Sequence, residues 1–84
     1  MKIQILGTGC PKCKKLEENA RLAVNELSIP CEIEKVTDLN DIMEYGIMMT
    51  PGFAINKQIK SVGKVLSPEQ IKDYISKEEK NIAG

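Results

Sequence analysis

Hydrophobic and polar positions change period several times along the chain, and each change marks an element. In KIQIL, residues 2–6, Ile3 and Ile5 alternate with Lys2 and Gln4, the period of a strand. After the loosened backbone of GTG, apolar residues from Pro11 onward fall at Leu16, Ala20, Ala23, Val24 and Leu27. That spacing is helical, and it stops at SIP with Pro30. Alternation returns in CEIEKV, residues 31–36, with Cys31 and Ile33 on one face and Glu32 and Glu34 on the other. TDLNDIMEYG predicts a short second helix capped by Thr37 or Asp38, with Leu39, Ile42 and Met43 as the buried stripe and Gly46 as the stop. GFAI and QIKSVG flank Asn56-Lys57, where Asn tolerates the left-handed turn of a two-residue hairpin. SPEQIKDYI opens the last helix with Ser67 as N-cap, Pro68 at the first helical position and Gln70 closing a capping box; Ile71, Tyr74 and Ile75 form its apolar face. The charged tail, residues 77–84, is expected to fray.

The order is βαβαββα. A strand-helix-strand opening demands a right-handed parallel crossover, and the closing hairpin adds antiparallel strands, so the pattern predicts one α/β domain with a mixed four-stranded sheet. It spans residues 1–84, with an ordered core at about 2–76. At 84 residues and 42% hydrophobic, the chain holds a modest core without a disulfide scaffold. The 12 basic and 12 acidic residues cancel, Trp is absent, and no basic stripe interleaves with aromatics, which argues against nucleic acid as partner. The apolar patch before Gly7 is too short for a signal peptide, so a cytosolic protein without a membrane partner is expected.

GTGCPKC brings in the chemistry. Its two cysteines lie where strand one feeds helix one, beyond the carboxyl end of a strand, the edge at which open α/β sheets usually place their sites. Metal ligands, a structural crosslink and a working disulfide are the available readings. Three cysteines in a reducing compartment make a stable crosslink the least favoured. A closed zinc site needs four ligands, and with no His and only Cys31 to add, the set is short. A carrier of a soft two-coordinate ion such as Cu(I) stays open as the alternative function.

Cys10-Pro11-Lys12-Cys13 at a helix start, Thr50-Pro51 just before a hairpin, and the element order together resemble the thioredoxin superfamily, above all its small glutaredoxin-sized branch, from Lys2 to Ile75. The resemblance implies a thioredoxin-like three-layer sandwich and a thiol–disulfide oxidoreductase that reduces or exchanges disulfides of protein partners. It implies that Cys10 attacks, that Cys13 resolves with formation of a Cys10–Cys13 disulfide, and that Pro51 is a cis-proline facing them. Thr50 and Pro51 would then form the docking edge; otherwise they are a turn that only starts a strand. No cofactor is implied, and the partners are disulfide-bearing proteins and an upstream thiol reductase meeting a monomer. The chain also departs from the pattern. Gly9 stands where thioredoxins have Trp, Pro11-Lys12 replaces Gly-Pro, and no Asp or Glu precedes Glu17 to serve as the buried acid. The glutaredoxin Tyr after Cys-Pro is missing, and VGKVLS occupies the glutathione-gripping turn.

Residue chemistry agrees with the assignment. Cys10-Pro11 parallels Ser67-Pro68, which puts Cys10 where a capping hydroxyl normally sits. Helix-end N–H donors favour a thiolate there and pull the thiol pKa below its ordinary value of about 8.5. Cys13 continues the stripe through Leu16 and Ala20 and so turns inward. Lys12, Lys14 and Lys15 oppose the helix dipole by about 0.3–1 kcal/mol each, a cost that a neighbouring thiolate would offset. The plainer reading is a solvated face with Lys14 paired to Glu17 and Glu18. Cys31 reads as a small hydrophobe on its strand, with a regulatory thiol as the lesser reading. Met48 and Met49 are either core or an adaptable apolar rim beside the cysteines, and Tyr45 and Phe53 are expected in the core.

Overall fold

In the computed structural model, which describes residues 1–9 and 11–83 (79–83 by backbone alone), the elements run β1 (Lys2–Leu6), α1 (Pro11–Leu27), β2 (Glu32–Val36), α2 (Leu39–Glu44), β3 (Gly52–Ile55), β4 (Gln58–Val62) and α3 (Pro68–Ala83). The strands form one mixed sheet in the order β2-β1-β3-β4. β1 pairs in parallel with β2 and antiparallel with β3, and the β3–β4 hairpin completes the sheet.

The pleat divides the apolar side chains between two layers. Ile3 and Ile5 of β1 and Phe53 and Ile55 of β3 point to one face, where they meet Leu16, Ala20 and Ala23 of α1 and Ile71 and Ile75 of α3. Leu6, Val36 and Ala54 point the other way and pack against Ile42 and Ile47. The result is the expected three layers, α1 and α3 on one side of the sheet and α2 on the other. Ile71 and Ile75 are fully buried one turn apart, each contributing about 1.5–3 kcal/mol. Asn19, buried in α1, donates its side-chain N–H to the Leu66 carbonyl at 2.8 Å and ties α1 to the segment before α3.

Central position overrides alternation in β1. Gln4, expected on a polar face, is buried because layers cover both sides of the strand, and its Oε1 accepts the Lys57 backbone N–H at 2.9 Å. Asn56 and Lys57 both adopt the left-handed conformation that a tight hairpin requires, with φ of 51° and 68°. The expected caps are present. Asp38 accepts from Asn40 N–H at 2.8 Å, and Ser67 and Gln70 exchange reciprocal bonds at 3.0 and 3.2 Å.

Two expectations are corrected. Leu39 and Met43 are exposed, because a six-residue helix resting on the sheet by Ile42 buries only one row of side chains. Tyr45 is half-buried, whereas Phe53 is fully enclosed. α3 runs to Ala83. Lys, Glu and Ala there are strong helix formers, and buried Glu78 pairs with Lys60 at 3.1 Å. Lys60 is the residue β4 inserts at its register shift against β3. Among the described residues no helix is long and apolar enough to cross a membrane.

Candidate functional site

The end of β1 builds the site. Gly7 donates its N–H to the Val36 carbonyl at 2.9 Å, carrying the β1–β2 ladder one residue past the strand and fixing the Gly7 α-carbon beside the first turns of α1. Cys13 faces it from α1, buried on the same stripe as Leu16, Ala20 and Ala23, as the spacing predicts. A Cβ on Gly7 would lie 2.1 Å from Cys13 Sγ and 3.1 Å from Cys13 Cβ. Glycine is needed here for room. The Cβ of Thr50 lies 3.9 Å from the same point, so Gly7, Cys13 and Thr50 converge. The Thr50–Pro51 peptide bond is cis. Pro51 is buried, and its carbonyl accepts the Gly63 N–H at 2.8 Å, which anchors the loop after β4 against it. Cys10 lies outside the described residues, and with it the expectation that its sulfur caps α1.

A small void of about 60 Å³ adjoins the Cys13 side chain, lined also by Gly7, Gly9, Lys14, Glu17 and Lys35. Glu17 is its one carboxylate. Glu17 is paired with Arg21 at 2.8 Å and with Lys35 at 3.3 Å. The Arg21 hydrogen bond, with Lys35 second among the cations, keeps the Glu17 carboxyl below the usual carboxylate range against the opposing effect of its burial. Glu17 is therefore ionised at neutral pH, and Lys14 and Lys35 leave the void's lining with a net positive charge.

The lysine cluster is exposed, and its pairing differs from the plainer sequence reading. Lys15 meets Glu18 at 3.9 Å, a surface contact worth about 0.3–0.5 kcal/mol at most. Glu17 is taken by Arg21 and Lys35, so Lys12 and Lys14 make no ion pair among the described residues. Cys31 sits at the opposite end of the sheet, half-buried beside Met1 and Lys2 and packed partly against the main core. The fold does not bring it to Cys13. Among the described residues no three His, Cys, Asp or Glu side chains assemble as a metal set.

Sequence reasoning missed two contributors. Gly7 read as loop looseness, although a lone glycine ending a strand also signals close approach by another chain segment. Lys35 follows Cys31 and Ile33 on the apolar face of CEIEKV, and a lysine on that face was the available sign of a charged partner beneath α1.

Comparison with known proteins supplies the remaining observation. The sequence model of one family, described as a thioredoxin domain, matches residues 1–76. A thioredoxin of Methanothermobacter thermautotrophicus is 49% identical over 76 residues, covering 90% of this chain and 99% of the relative. A thioredoxin of Methanocaldococcus jannaschii is 51% identical over 73 residues, covering 87% of this chain and 84% of the relative.

Proposed function

The chain belongs to the thioredoxin-domain family and is a thiol–disulfide oxidoreductase, and from that premise we propose that Cys10 and Cys13 are its working pair. The Cys10 thiolate attacks one sulfur of a partner's disulfide, forming a mixed disulfide and releasing the partner's other sulfur as a thiolate. Cys13 then attacks the Cys10 sulfur, closes a Cys10–Cys13 disulfide and releases the second partner thiolate. The partner gains two electrons and the pair loses two. An upstream thiol reductase restores the dithiol. The chemistry uses sulfur alone, without an organic cofactor, and suits a monomer working in the reducing cytosol.

The observation that carries this reading is the convergence of Cys13 Sγ, Gly7 and Thr50 beside the cis Thr50–Pro51 bond. A buried sulfur held against backbone suits a resolving thiol that meets its neighbour and not the solvent. The thiol that meets the partner must then be the other one. In sequence Cys10 directly precedes the first residue of α1, whose first turn carries no acidic side chain. Helix-end donors and the Lys12 and Lys14 charges support its thiolate. The extended backbone that Pro51 imposes on Thr50 offers a partner strand an edge to pair with. No observation favours the metal-carrier reading.

Limiting iodoacetamide on the reduced protein near neutral pH tests the assignment. Cys10 should be labelled first, with a rate that titrates below about 8.5, and Cys13→Ser should accumulate partners as mixed disulfides that Cys10→Ser does not trap. Labelling of Cys13 first, or titration of both thiols together near the ordinary value, would refute it.

A further inference from the structure

We propose that the open sheet face between the C-terminal end of α2 and strands β2 and β4 is a docking surface for a basic, extended segment of a protein partner. The partner is held there without passing through the cysteine chemistry, and the reactive end stays open while it is bound.

The two faces of the sheet are covered unequally. One carries α1 and α3, of 17 and 16 residues. The other carries α2, whose six residues make a helix about 9 Å long, whereas four strands about 4.8 Å apart span about 14 Å. The shortfall is an open groove of about 770 Å³. By register Glu34, Gln4, Ala54 and Ile59 form one row across this face, one residue pair beyond the row that α2 covers. Val36 and Ile59 give the groove an apolar floor continuous with the core cluster of Leu6, Ile42 and Ala54, and half-buried Tyr45 stands on its α2 side.

Charge chooses the occupant. Glu34, Asp41 and Glu44 are exposed around the groove and Lys57 is the one cation of its lining, three negative charges against one positive. Among the described residues Asp41 and Glu44 make no ion pair, and Glu34 is met by Lys2 at 4.0 Å. The negative field reaches inward: burial raises the Tyr45 hydroxyl above its ordinary 10.0, and the charges of Glu34 and Asp41 raise it further. A Lys or Arg side chain matches each part of this surface. Its aliphatic stem covers the floor, its charged head reaches the carboxylates, and the Tyr45 ring offers a cation–π face. An extended segment sends every second side chain to the same side and so delivers several such groups along one groove. A bare metal ion is a poorer fit, because among the described residues no three acidic side chains assemble around a point and an apolar floor offers it nothing. No described residue lines both this groove and the void at Cys13, and Thr50 and Pro51 lie outside it. Occupation therefore leaves the reactive end uncovered.

The test uses two dye-labelled, cysteine-free peptides of equal length, one alternating Lys with Leu and one alternating Glu with Leu, read by fluorescence anisotropy on the intact protein at low salt. The basic peptide should bind at least about tenfold more tightly, equivalent to about 1.4 kcal/mol. Raising the ionic strength from about 0.01 M to about 0.15 M, which shortens the Debye length from about 30 to about 8 Å, should weaken it several-fold. The double variant Glu34→Gln, Glu44→Gln should weaken it about fivefold. Both side chains are exposed, so the variant should reduce the small disulfide DTNB at the parent rate, and saturating basic peptide should leave that rate unchanged in the parent. Equal binding of the two peptides, or unchanged affinity in the variant, overturns the proposal. Inhibition of DTNB turnover by the basic peptide would put it at the cysteines and overturns it too. Displacement of the peptide by spermine at equal concentration would assign the groove to a small polycation, and a concentration-dependent dimer that the same double variant dissociates would assign it to a second copy; each of these overturns the protein-segment reading.

Discussion

Gly7→Ala introduces one methyl group at the most crowded point of the site. Its Cβ would sit 2.1 Å from Cys13 Sγ and 3.1 Å from Cys13 Cβ, against a comfortable separation of about 3.5–4.0 Å. Neither neighbour gives way cheaply. Cys13 belongs to a helix whose next three inward residues, Leu16, Asn19 and Ala20, are buried, and Gly7 is held by its bond to Val36 at 2.9 Å. Overpacking of this kind costs roughly 1–3 kcal/mol, and contact with both atoms of the cysteine side chain places it near the upper end. Restricting the unfolded chain returns about 0.4–1 kcal/mol, so a net loss of about 1.5–2 kcal/mol is expected, or roughly 6–16 °C in Tm for a domain of this size. Urea denaturation in dithiothreitol measures it, in a cycle with Cys13→Ala. Deleting the sulfur removes the closer of the two contacts, so the double variant should recover about 1 kcal/mol relative to additivity. Gly46→Ala is the contrast, since nothing lies within 4 Å of its Cβ position and its φ of +81° makes the loss one of backbone conformation alone. An unchanged midpoint for Gly7→Ala, or additivity in the cycle, would mean that the sulfur does not rest on Gly7.

Other outcomes follow from the same structure. Asn19→Ala strands the buried Leu66 carbonyl and should cost about 1–3 kcal/mol by urea unfolding; a loss below a few tenths would mean that α1 is not tied to that segment. Glu17 has a folded pKa below its ordinary 4.5, so its contribution is complete above that pH and is lost as pH falls through the lower folded value. The stability advantage over Glu17→Gln should therefore be flat at neutral pH and shrink in acid, and a constant difference down to pH about 2 would contradict the pairing with Arg21 and Lys35. Glu78→Gln should destabilise by about 1 kcal/mol through loss of the partly buried Lys60 pair, and hydrogen exchange should quicken in the last turns of α3; unaltered exchange would separate that pair from the helix end.

Most of the architecture was legible because local signals and tertiary demands agree. The capping box at Ser67, the left-handed pair Asn56-Lys57 and the stripe from Cys13 to Ala23 each serve both the element and the packing around it. Disagreement arose where tertiary context outvoted the pattern. Gln4 looks solvent-facing by period and is buried because β1 is central. Leu39 and Met43 look buried by spacing and stand in water because α2 is too short to turn them onto the sheet. Glu78 finds Lys60 on a strand whose register shift cannot be read from one sequence. At the site, Cys13 and Thr50-Pro51 were visible as motifs. The roles of Gly7 and Lys35 were not, since each depends on a contact between segments far apart in the chain.

The two outer strands of the sheet bear on how the protein behaves in a crowded solution. β2 and β4 are each only five residues long. β2 carries Glu32, Glu34 and Lys35, and β4 is kinked at Lys60. Short, charged or irregular margins are poor templates for intermolecular strand addition, the route by which small sheets grow into aggregates. Exposed apolar side chains are instead gathered around α2, at Leu39, Met43, Met48 and Met49. Collisions along the two strand margins therefore find no ladder to extend and are brief.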